Sequence, residues 1–562
     1  MMTPRPDCGR SIVVAALAVM IFITTSRSQT GLSPISRQES SIRLLASALG
    51  EGLQEGVPIK CGLPVYSAAV HQRSQLTGAL KVALNELDVR PQMQTSVVSG
   101  GFRIHFDTTG ANTPALLNAL HQRIAGTARA FVDSAIAVMA DVYAVEIGEL
   151  GFAAPPADGV QGGGNEYDIY IMELGNLYGQ TLVDDFTQDG SISTTFIEVD
   201  NDFIFVSPSE NKGIPGLEVT LAHEFHHAIQ IGSYGFWTAD VWYHEVTSTW
   251  MEDVVYTNVN DYYNYLYASF SQFHHPQTQL NSFPNDYVEY SRGIWGQFIT
   301  KRYGPDAMKK TWEAIRSLRP LDAIDATLKG FGSRLGLAFA EWTLWNYYTG
   351  ERADTVSYYP EGRNFPLMDA AVFALPPVSR QVNDMLPCLS SAYYRFITGS
   401  DSLAVVIAHL STPCPMGAAA SPFSFVLTRQ PPDGNYRSIG LGYYLKLSVD
   451  NPSEWIAWNI GPSGAGGINM KQGMSFPNPF LAGNQSTLYF PVEVGEGTLT
   501  IYSPAMELVY SGHQSATSHL GQRVLTWDGK TSTGQSARSG VYLFILDVDG
   551  KSISGKFALV RQ

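Results

Sequence analysis

Residues 220–229 read TLAHEFHHAI and place two imidazoles and a carboxylate in one stretch of predicted helix. Because His223 and His227 are four positions apart, their rings project from the same side of the helix, one turn from each other. One cation can therefore bind both rings. Glu224 is rotated from that face by roughly a third of a turn. We expect it beside the cation, where it can act as a general base on the attacking water.

The residues around this motif are apolar and indicate a buried helix. No proline interrupts the motif, and Glu224 is its only acidic or basic residue apart from the histidines. Buried charges and imidazoles are costly unless they are paired or coordinated, so we expect a metal ion as their partner. An ordinary exposed helical turn is the alternative, since the same spacing also occurs by chance. His226 points to a different face, and we interpret it as a packed or solvent-facing histidine.

The third protein ligand is expected downstream, because a catalytic zinc takes three protein ligands and keeps a fourth position open. Residues 242–253 read WYHEVTSTWMED and predict a second apolar helix. Its candidate ligand is Glu245, which lies 18 positions after His227. Glu252 is the reserve ligand. The alternative for Glu245 is a carboxylate that stabilises the start of the helix through its dipole.

These two helices resemble those of the gluzincin metallopeptidases, such as thermolysin and the aminopeptidase N family, in which a Glu at nearly this spacing completes the zinc site. The resemblance implies three Zn²⁺ ligands, namely His223, His227 and Glu245. A small residue follows the ligand Glu by three positions in those enzymes, as Ser248 does here. Thr249 stands where thermolysin has an acidic residue, so we expect Glu252 or Asp253 to orient a ligand in its place.

The stretch Tyr290-Ser291-Arg292-Gly293 is similar to the Tyr-x-Lys-Gly stretch of the aminopeptidase N family, with Arg in place of Lys. The resemblance implies that the Tyr290 hydroxyl donates a hydrogen bond to the oxyanion that develops on the attacked carbonyl. The alternative is an aromatic residue that only packs, because the region is rich in tyrosine.

Other stretches resemble a bacterial family of secreted HExxH metalloproteases. They are FRIHF at 102–106, DIYI at 168–171 and TFIEVDND at 195–202, together with both helices above. The resemblance covers roughly the first two thirds of the chain. It implies an α+β zincin-like (gluzincin) catalytic domain, which here is followed by two predicted all-β sandwich modules.

The chain has 562 residues, which is too long for one core and indicates several domains. We predict five segments: a signal peptide at 1–28, a propeptide or N-terminal extension at 29–98, a metallopeptidase domain at 99–355, a β-sandwich at 365–468 and an Ig-like module at 473–562. The first segment has Arg5 and Arg10 before an apolar run, and small residues follow that run, as in secretory signals. An uncleaved anchor is the alternative. The net charge of −15 argues against a nucleic-acid partner.

The last segment resembles the C-terminal sorting domain of type IX secretion and the Ig-like module of flagellar hook-capping proteins. The motifs that carry this resemblance are FPNPF at 476–480, LTIY at 499–502, VLTWDG at 524–529 and SGVYLF at 539–544. It implies an exported bacterial protein that is secreted or attached to the cell surface, with the secretion machinery or the surface as a partner of this module. A plain accessory Ig-like module is the alternative.

The cysteines give two expectations. Cys8 would leave with the signal peptide, and Cys388 and Cys414 could pair in an oxidising compartment, which leaves Cys61. Residues 60–64 read KCGLP and resemble the cysteine-switch segment of matrix metalloprotease propeptides, with Lys in place of Arg. The resemblance implies that the Cys61 thiolate binds the zinc and holds the site shut. A free or structural cysteine is the alternative.

Local patterns predict the surroundings of the motifs. Alternating or β-rich runs predict strands at 102–106, 168–172, 196–199, 393–397, 403–408, 423–427 and 441–447. Thr113 and Pro114 are expected to open a long helix whose apolar period runs to Met139, and a helix is expected near 40–53. We predict that Phe196 to Val199 is the edge strand that takes up an extended peptide. Turn residues at 184–190 allow a calcium loop, 274–276 reads as a loop, and 461–467 reads as a linker.

Together the patterns predict a secreted zinc metallopeptidase that acts on a peptide or protein substrate. An endopeptidase is favoured, because a Gly-x-Met-x-Asn element of the kind that reads a free amine in aminopeptidase N relatives is not apparent before His223. Two alternatives stay open. One is a noncatalytic adhesion protein on the same scaffold, and the other is a zinc hydrolase of non-peptide amides or esters.

Overall fold

The computed structural model of the chain describes residues 36–50, 53, 57–283, 287–375, 387–398, 403–409, 454–460, 475, 480–482, 487–493, 495–503, 506–519 and 522–561. Its helices are α1 Arg37–Leu49, α2 Leu63–His71, α3 Gly78–Leu87, α4 Ala128–Tyr143, α5 Ile214–Ile229, α6 Val241–Val255, α7 Tyr263–Tyr267, α8 Val288–Ser291, α9 Ile294–Tyr303, α10 Asp306–Ile315, α11 Pro320–Gly330 and α12 Leu335–Tyr347. Six strands form the sheet that carries the site: β1 Ile59–Cys61, β2 Thr95–Ser99, β3 Phe102–Phe106, β4 Tyr167–Met172, β5 Leu177–Val183 and β6 Thr195–Asp200.

The strand order in this sheet is β1-β5-β6-β4-β3-β2. Strands β3, β4 and β6 are parallel to one another, whereas β2 and β5 run antiparallel to their neighbours β3 and β6. At the edge, β1 pairs in parallel with β5, with Ile59 opposite Leu177 and Cys61 opposite Gly179. The first body of the chain is therefore a mixed α+β fold.

Both faces of the sheet are buried, because successive side chains of a strand point to opposite faces. Ile169 and Ile171 of β4 pack in one apolar core with α4 and α5. Tyr170 and Met172 of the same strand pack in a second core with α1, α2 and α3. Residues of the predicted propeptide or N-terminal extension, including the helix expected near 40–53, thus pack in the same folded body as this sheet.

Three local strand predictions are confirmed, and one helix prediction is wrong. The strands expected at 102–106, 168–172 and 196–199 correspond to β3, β4 and β6. The helix expected from Thr113 begins only at Ala128, in α4. Before it, Asn118 Oδ1 accepts hydrogen bonds from two backbone N–H groups of a turn. His121 and Gly126 have φ of 55° and 77°, which a right-handed helix cannot contain.

The predicted edge strand is also wrong. Phe196 to Val199 lie in β6, which is between β5 and β4, so its backbone groups are already paired. The outermost long strand on this side is β5, and only the three-residue β1 lies beyond it. The strand that can bind an added extended segment is therefore β5.

Between β6 and Tyr347 the regular elements of the described chain are all helices. Helices α5 and α6 pack against each other, and α8 and α9 pack on α6. Trp295, Trp312 and Trp342 are fully buried between these helices. Their packing fixes α6, and with it the position of Glu245.

Short strands follow: β7 Ala371–Leu375, β8 Tyr394–Thr398, β9 Leu403–His409 and β10 Glu454–Ile460. They form two pairs, β7 with β8 and β9 with β10, and β8 and β9 match predicted strands. Cys388 is disulfide-bonded. The strands predicted at 423–427 and 441–447, Cys414, the linker at 461–467 and the signal peptide at 1–28 lie outside the described residues.

The C-terminal strands are β11 Phe480–Ala482, β12 Leu488–Pro491, β13 Glu496–Tyr502, β14 Leu508–Ser515, β15 Thr517–His519, β16 Gln522–Trp527, β17 Gly540–Val548 and β18 Lys551–Arg561. They form a sheet of order β11-β18-β17-β13-β14 and a second one of order β12-β16-β15. Phe490 and Trp527 of the smaller sheet share one core with Ile501 and Phe544 of the larger. This end is a β module of two sheets. Among the described helices, none has the length and apolar composition that crossing a membrane requires.

Glu198 of β6 gives the sheet a pH dependence that can be measured. Burial raises its pKa to about 7, although Gln180 donates a hydrogen bond of 2.7 Å to it. The folded state therefore retains a proton that the unfolded chain releases above its ordinary pKa of 4.5, so stability falls as pH rises through that interval. We expect Glu198→Gln to remove about 2–3 kcal/mol of this fall. Denaturant unfolding of the wild type and of Glu198→Gln at pH 4.5 and at about pH 7 measures this change in the free energy of unfolding. An equal fall with pH in both proteins would contradict the prediction.

Candidate metal centre

Helix α5 places both histidines of the motif in the protein interior. Every residue from Val219 to Ile229 is buried, as the apolar flanks predicted. His223 and His227 lie one turn apart on the side that faces α6, while Glu245 lies in the second turn of α6. The packing of these two helices therefore brings together three side chains that lie at most 22 positions apart in the sequence.

The three predicted ligands meet at their coordinating atoms. His223 Nε2 is 3.1 Å from His227 Nε2, and each nitrogen is 3.2 Å from an oxygen of Glu245. Ligand atoms of a tetrahedral zinc with bonds of about 2.0–2.1 Å are separated by about 3.3 Å. The observed separations are close to this value, with a different oxygen of Glu245 facing each imidazole, so the triangle of side chains has the size of a zinc site.

Cys61 adds a fourth donor. Its Sγ and the donor atoms of His223, His227 and Glu245 all lie within 4.8 Å of one another. All four residues are buried, and together they offer two imidazoles, a carboxylate and a thiol. This is a borderline-soft donor set that suits zinc. The structure thus brings the cysteine of the KCGLP segment to the predicted metal site.

Strand β1 holds that cysteine by main-chain contacts. The N–H of Ile59 donates to Asn176 O at 2.8 Å, and the N–H of Gly62 donates to Gly179 O at 3.1 Å. A Cβ at Gly62 would stand 2.2 Å from Oε1 of Gln180, so only glycine lets the chain pass here. The pairing of β1 with β5 therefore fixes the position along β5 at which the Cys61 side chain enters the site.

The electrostatics of the cluster favour a cation. Burial alone would raise the pKa of Glu245, but the imidazoles of His227 and His223 outweigh burial and hold this pKa well below its usual range. Burial raises the pKa of the Cys61 thiol, and the carboxylates of Glu224 and Glu245 raise it further. A metal ion reverses this effect on a thiol, because a coordinating thiol is deprotonated.

The far nitrogens of both rings are engaged, so that the Nε2 atoms face the cluster. His223 Nδ1 donates to Glu252 at 2.7 Å. His227 Nδ1 is 2.8 Å from Gln230 Oε1 and 3.1 Å from Ser248 Oγ. Such contacts orient ligand histidines. Glu252 thus takes the orienting role expected of it or Asp253, rather than that of reserve ligand.

Asp253 lies outside this network and accepts a hydrogen bond from Gln297. Gln230 was not predicted from the sequence. Its signal is its position three residues after His227, on the same helical face.

Glu224 is positioned by β5. Thr181 Oγ1 donates to Glu224 Oε2 at 2.8 Å, and Gly179 leaves room for the carboxylate, since a Cβ there would lie 3.2 Å from Glu224 Cγ. Glu224 is fully buried, and its carboxylate is close enough to the Cys61 thiol to raise the pKa of that thiol through a hydrogen bond. Glu224 therefore lies beside the fourth ligand position. Thr181 was missed because β5 was not predicted.

Tyr290 of α8 is fully buried, and its ring centroid is 6.1 Å from that of His223. Its hydroxyl has no hydrogen-bond partner in the described part of the chain. Burial raises the pKa of this hydroxyl well above its usual value, and Glu245 acts in the same direction. The hydroxyl is therefore a neutral donor near the cluster. Arg292, which stands where the aminopeptidase N family has Lys, donates instead to carbonyls of Leu280 and Ser282.

The other singled-out residues lie away from the cluster. His226 is a packed histidine, as predicted, and its Nδ1 is 2.7 Å from the buried Glu146. His274 lies in a turn, beside Asp369. In the possible calcium loop, Asp184 binds Arg90 and Asp189 accepts the N–H of Thr238. These carboxylates already have partners.

No protein-family model matches the chain, and no curated protein is significantly similar to it. Two solved structures overlap parts of it. PorZ, an essential bacterial surface component of the type-IX secretion system of Porphyromonas gingivalis, is 21% identical over 16% of this chain and 11% of its own, with a TM-score of 0.13. Dimeric latent PorU from the same organism is 15% identical over 29% of this chain and 18% of its own, with a TM-score of 0.14.

This chain therefore spans less than a fifth of either of those proteins. At these TM-scores neither likeness carries an argument about its fold or function. The resemblances to the gluzincins and to the sorting module stay predictions from the sequence.

Proposed function

We propose that this protein is an exported zinc-dependent peptidase that is latent in its full-length form. The observation that carries the proposal is the buried triangle of His223, His227 and Glu245, with the Glu224 carboxylate beside the thiol that takes the fourth position. A site that only stores a metal does not need a second carboxylate at that place. A hydrolase needs one there as its base.

When bound, zinc would supply Lewis acidity toward the scissile carbonyl and would lower the pKa of water. His223, His227 and Glu245 would hold it, and Glu252, Gln230 and Ser248 would keep the two rings aligned. Glu224, held by Thr181, would take the proton of the attacking water and pass it to the leaving amine. The neutral Tyr290 hydroxyl would donate a hydrogen bond to the developing oxyanion.

The substrate would be an extended peptide added to β5. With β6 fully paired, β5 is the long strand whose outer edge is covered by only three residues. Peptide backbones bind such edges through main-chain hydrogen bonds. This geometry favours an endopeptidase, which cuts inside its substrate chain. The sequence favours the same interpretation, because a Gly-x-Met-x-Asn element is not apparent before His223.

A second candidate has its own supporting observation. Four protein donors surround the site when Cys61 is counted, and structural zinc sites are closed in this way. A noncatalytic surface protein with a structural zinc, which uses its β modules for adhesion, is therefore the rival. Zinc hydrolysis of a non-peptide amide or ester is the further alternative. The predicted signal peptide and the resemblance of the C-terminal segment to a sorting module support export or surface attachment in each case.

Replacing Cys61 tests the proposal. We expect Cys61→Ala to keep one zinc per chain and to raise chelator-sensitive cleavage of casein by at least about tenfold over the full-length wild type, because a thiolate binds zinc better than water does. Zinc content is measured by mass spectrometry and cleavage by a fluorescent casein assay.

Cys61→Asp is the matched control, since it keeps an anionic ligand and should stay latent. If Cys61→Ala binds zinc but cleaves neither casein nor any member of a peptide library, the structural-zinc rival is supported. If its activity equals that of the wild type, Cys61 is not a latch.

A further inference from the structure

Lys60, the residue before Cys61, is 1% exposed, although lysine is almost never fully buried without a partner. Its Nζ lies 2.7 Å from Asp261 Oδ2 and 2.9 Å from Glu252 Oε2, and 4.7 Å from the centre of the Tyr178 ring. The ammonium therefore occupies a closed pocket with two carboxylates and an aromatic face. Glu252 also orients the metal ligand His223, so the pocket adjoins the metal centre.

The pocket is built by the body of the chain and not by the segment that fills it. Asp261 Oδ1 accepts hydrogen bonds from Asn264 Nδ2 at 3.2 Å and from Asn211 Nδ2 at 3.4 Å. Glu252 Oε1 accepts from His223. Each carboxylate thus has one oxygen fixed by neighbouring side chains, and directs its other oxygen to the ammonium.

The strand that carries Lys60 is attached like a bound peptide. Strand β1 has three residues and pairs only with β5, through main-chain hydrogen bonds that any extended peptide can form. A peptide that replaces β1 along β5 would place one of its side chains where Lys60 lies. Two buried carboxylates without a cation are strongly unfavourable, so the pocket selects for a positive charge.

We propose that Glu252 and Asp261 form a subsite for a primary ammonium, the side chain of a substrate lysine, and that Lys60 occupies this subsite in the full-length chain. The existence of the pocket is independent of catalysis, whereas its assignment to a substrate rests on the peptidase function proposed above. The two parts are therefore tested separately.

The pocket is tested by chemical rescue. In full-length Lys60→Ala we expect n-propylammonium, which replaces the missing part of the side chain, to bind with a Kd in the millimolar range and to raise Tm by about 2 °C at ten times that Kd. Neutral 1-propanol should give no rise, nor should the amine with wild type or with Lys60→Ala/Asp261→Asn. Equal shifts by amine and alcohol, or no shift by either, would overturn the pocket.

Substrate selection is tested in Lys60→Ala/Cys61→Ala, in which the ammonium subsite is vacant and the thiol is removed, and whose folding is checked by thermal unfolding. Paired peptides that differ only in lysine or norleucine at each position are compared by kcat/KM. We expect a preference of at least about tenfold for lysine at one position. In this background Asp261→Asn should reduce the ratio to about one, whereas Asp325→Asn, a buried carboxylate on α11, should preserve it.

A ratio near one in Lys60→Ala/Cys61→Ala, or a ratio that Asp261→Asn leaves unchanged, would overturn the substrate assignment even though peptides are cleaved. If no peptide is cleaved, the proposed peptidase function fails and the substrate assignment falls with it. The amine rescue still decides in that case whether the ammonium pocket exists.

Discussion

Replacing Glu224 by Gln in the Cys61→Ala protein is expected to lower kcat by about 10³-fold while zinc binding stays the same. The amide keeps the shape of the side chain and its hydrogen bond from Thr181, but it cannot accept the proton of the attacking water. None of the three ligand atoms of the triangle belongs to Glu224, so the metal site should be intact. Steady-state peptide cleavage and zinc content, measured on the same preparation, check both parts.

Glu218→Gln is the matched control, because it makes the same change on α5 before the motif. We expect it to retain activity within about twofold, since Glu218 is only half-buried and is not among the residues of the metal cluster. Equal loss of activity in both variants would assign the effect to helix α5 as a whole. Retained activity in Glu224→Gln would eliminate the proposed base.

Replacing His227 by Ala is expected to abolish stoichiometric zinc binding and, with it, peptide cleavage. The change removes one of three donor atoms that lie 3.1–3.2 Å apart, and it leaves Glu245 buried without one of its two partners. Loss of a ligand should weaken zinc binding by at least about 10³-fold, more than the loss of an orienting contact. Competition with a fluorescent chelator measures the Kd.

The neighbouring His226→Ala provides the comparison within the same helix. It also removes a buried imidazole and leaves Glu146 unpaired, so it should lower the free energy of unfolding, but it should keep the zinc. Unchanged zinc affinity in His227→Ala, or equal loss in His226→Ala, would show that the metal is not held by this cluster.

The ligand helices could be predicted from the sequence because their signal is local. The spacing of His223 and His227 fixes their common face within one helix, and apolar flanks predict its burial. Glu245 was identified from a resemblance in spacing, and Glu252 from the need to orient a ligand. The structure brings the predicted ligands together, while their chemistry stays a prediction.

The edge of the sheet could not be predicted, because strand pairing depends on contacts between distant parts of the chain. Lys60 and Asp261 are 201 residues apart in sequence, and no periodicity in either segment indicates their contact. The β5 strand was missed, and so its neighbour was assigned the edge. The helix expected at Thr113 failed for a local reason, since left-handed residues at His121 and Gly126 interrupt an otherwise helical pattern.

The second apolar core limits how this protein can be matured. Helices α1–α3 contribute Ile42, Leu45 and Leu84 to a core shared with Leu177 and Leu182 of β5. Each such side chain contributes about 1.5–3 kcal/mol when it is buried. Loss of the whole N-terminal segment would expose these apolar side chains of β5 to water and promote aggregation. If proteolysis releases the proposed latency, we expect a nicked chain whose two fragments stay associated, with β1 displaced from β5 and the helices left in place.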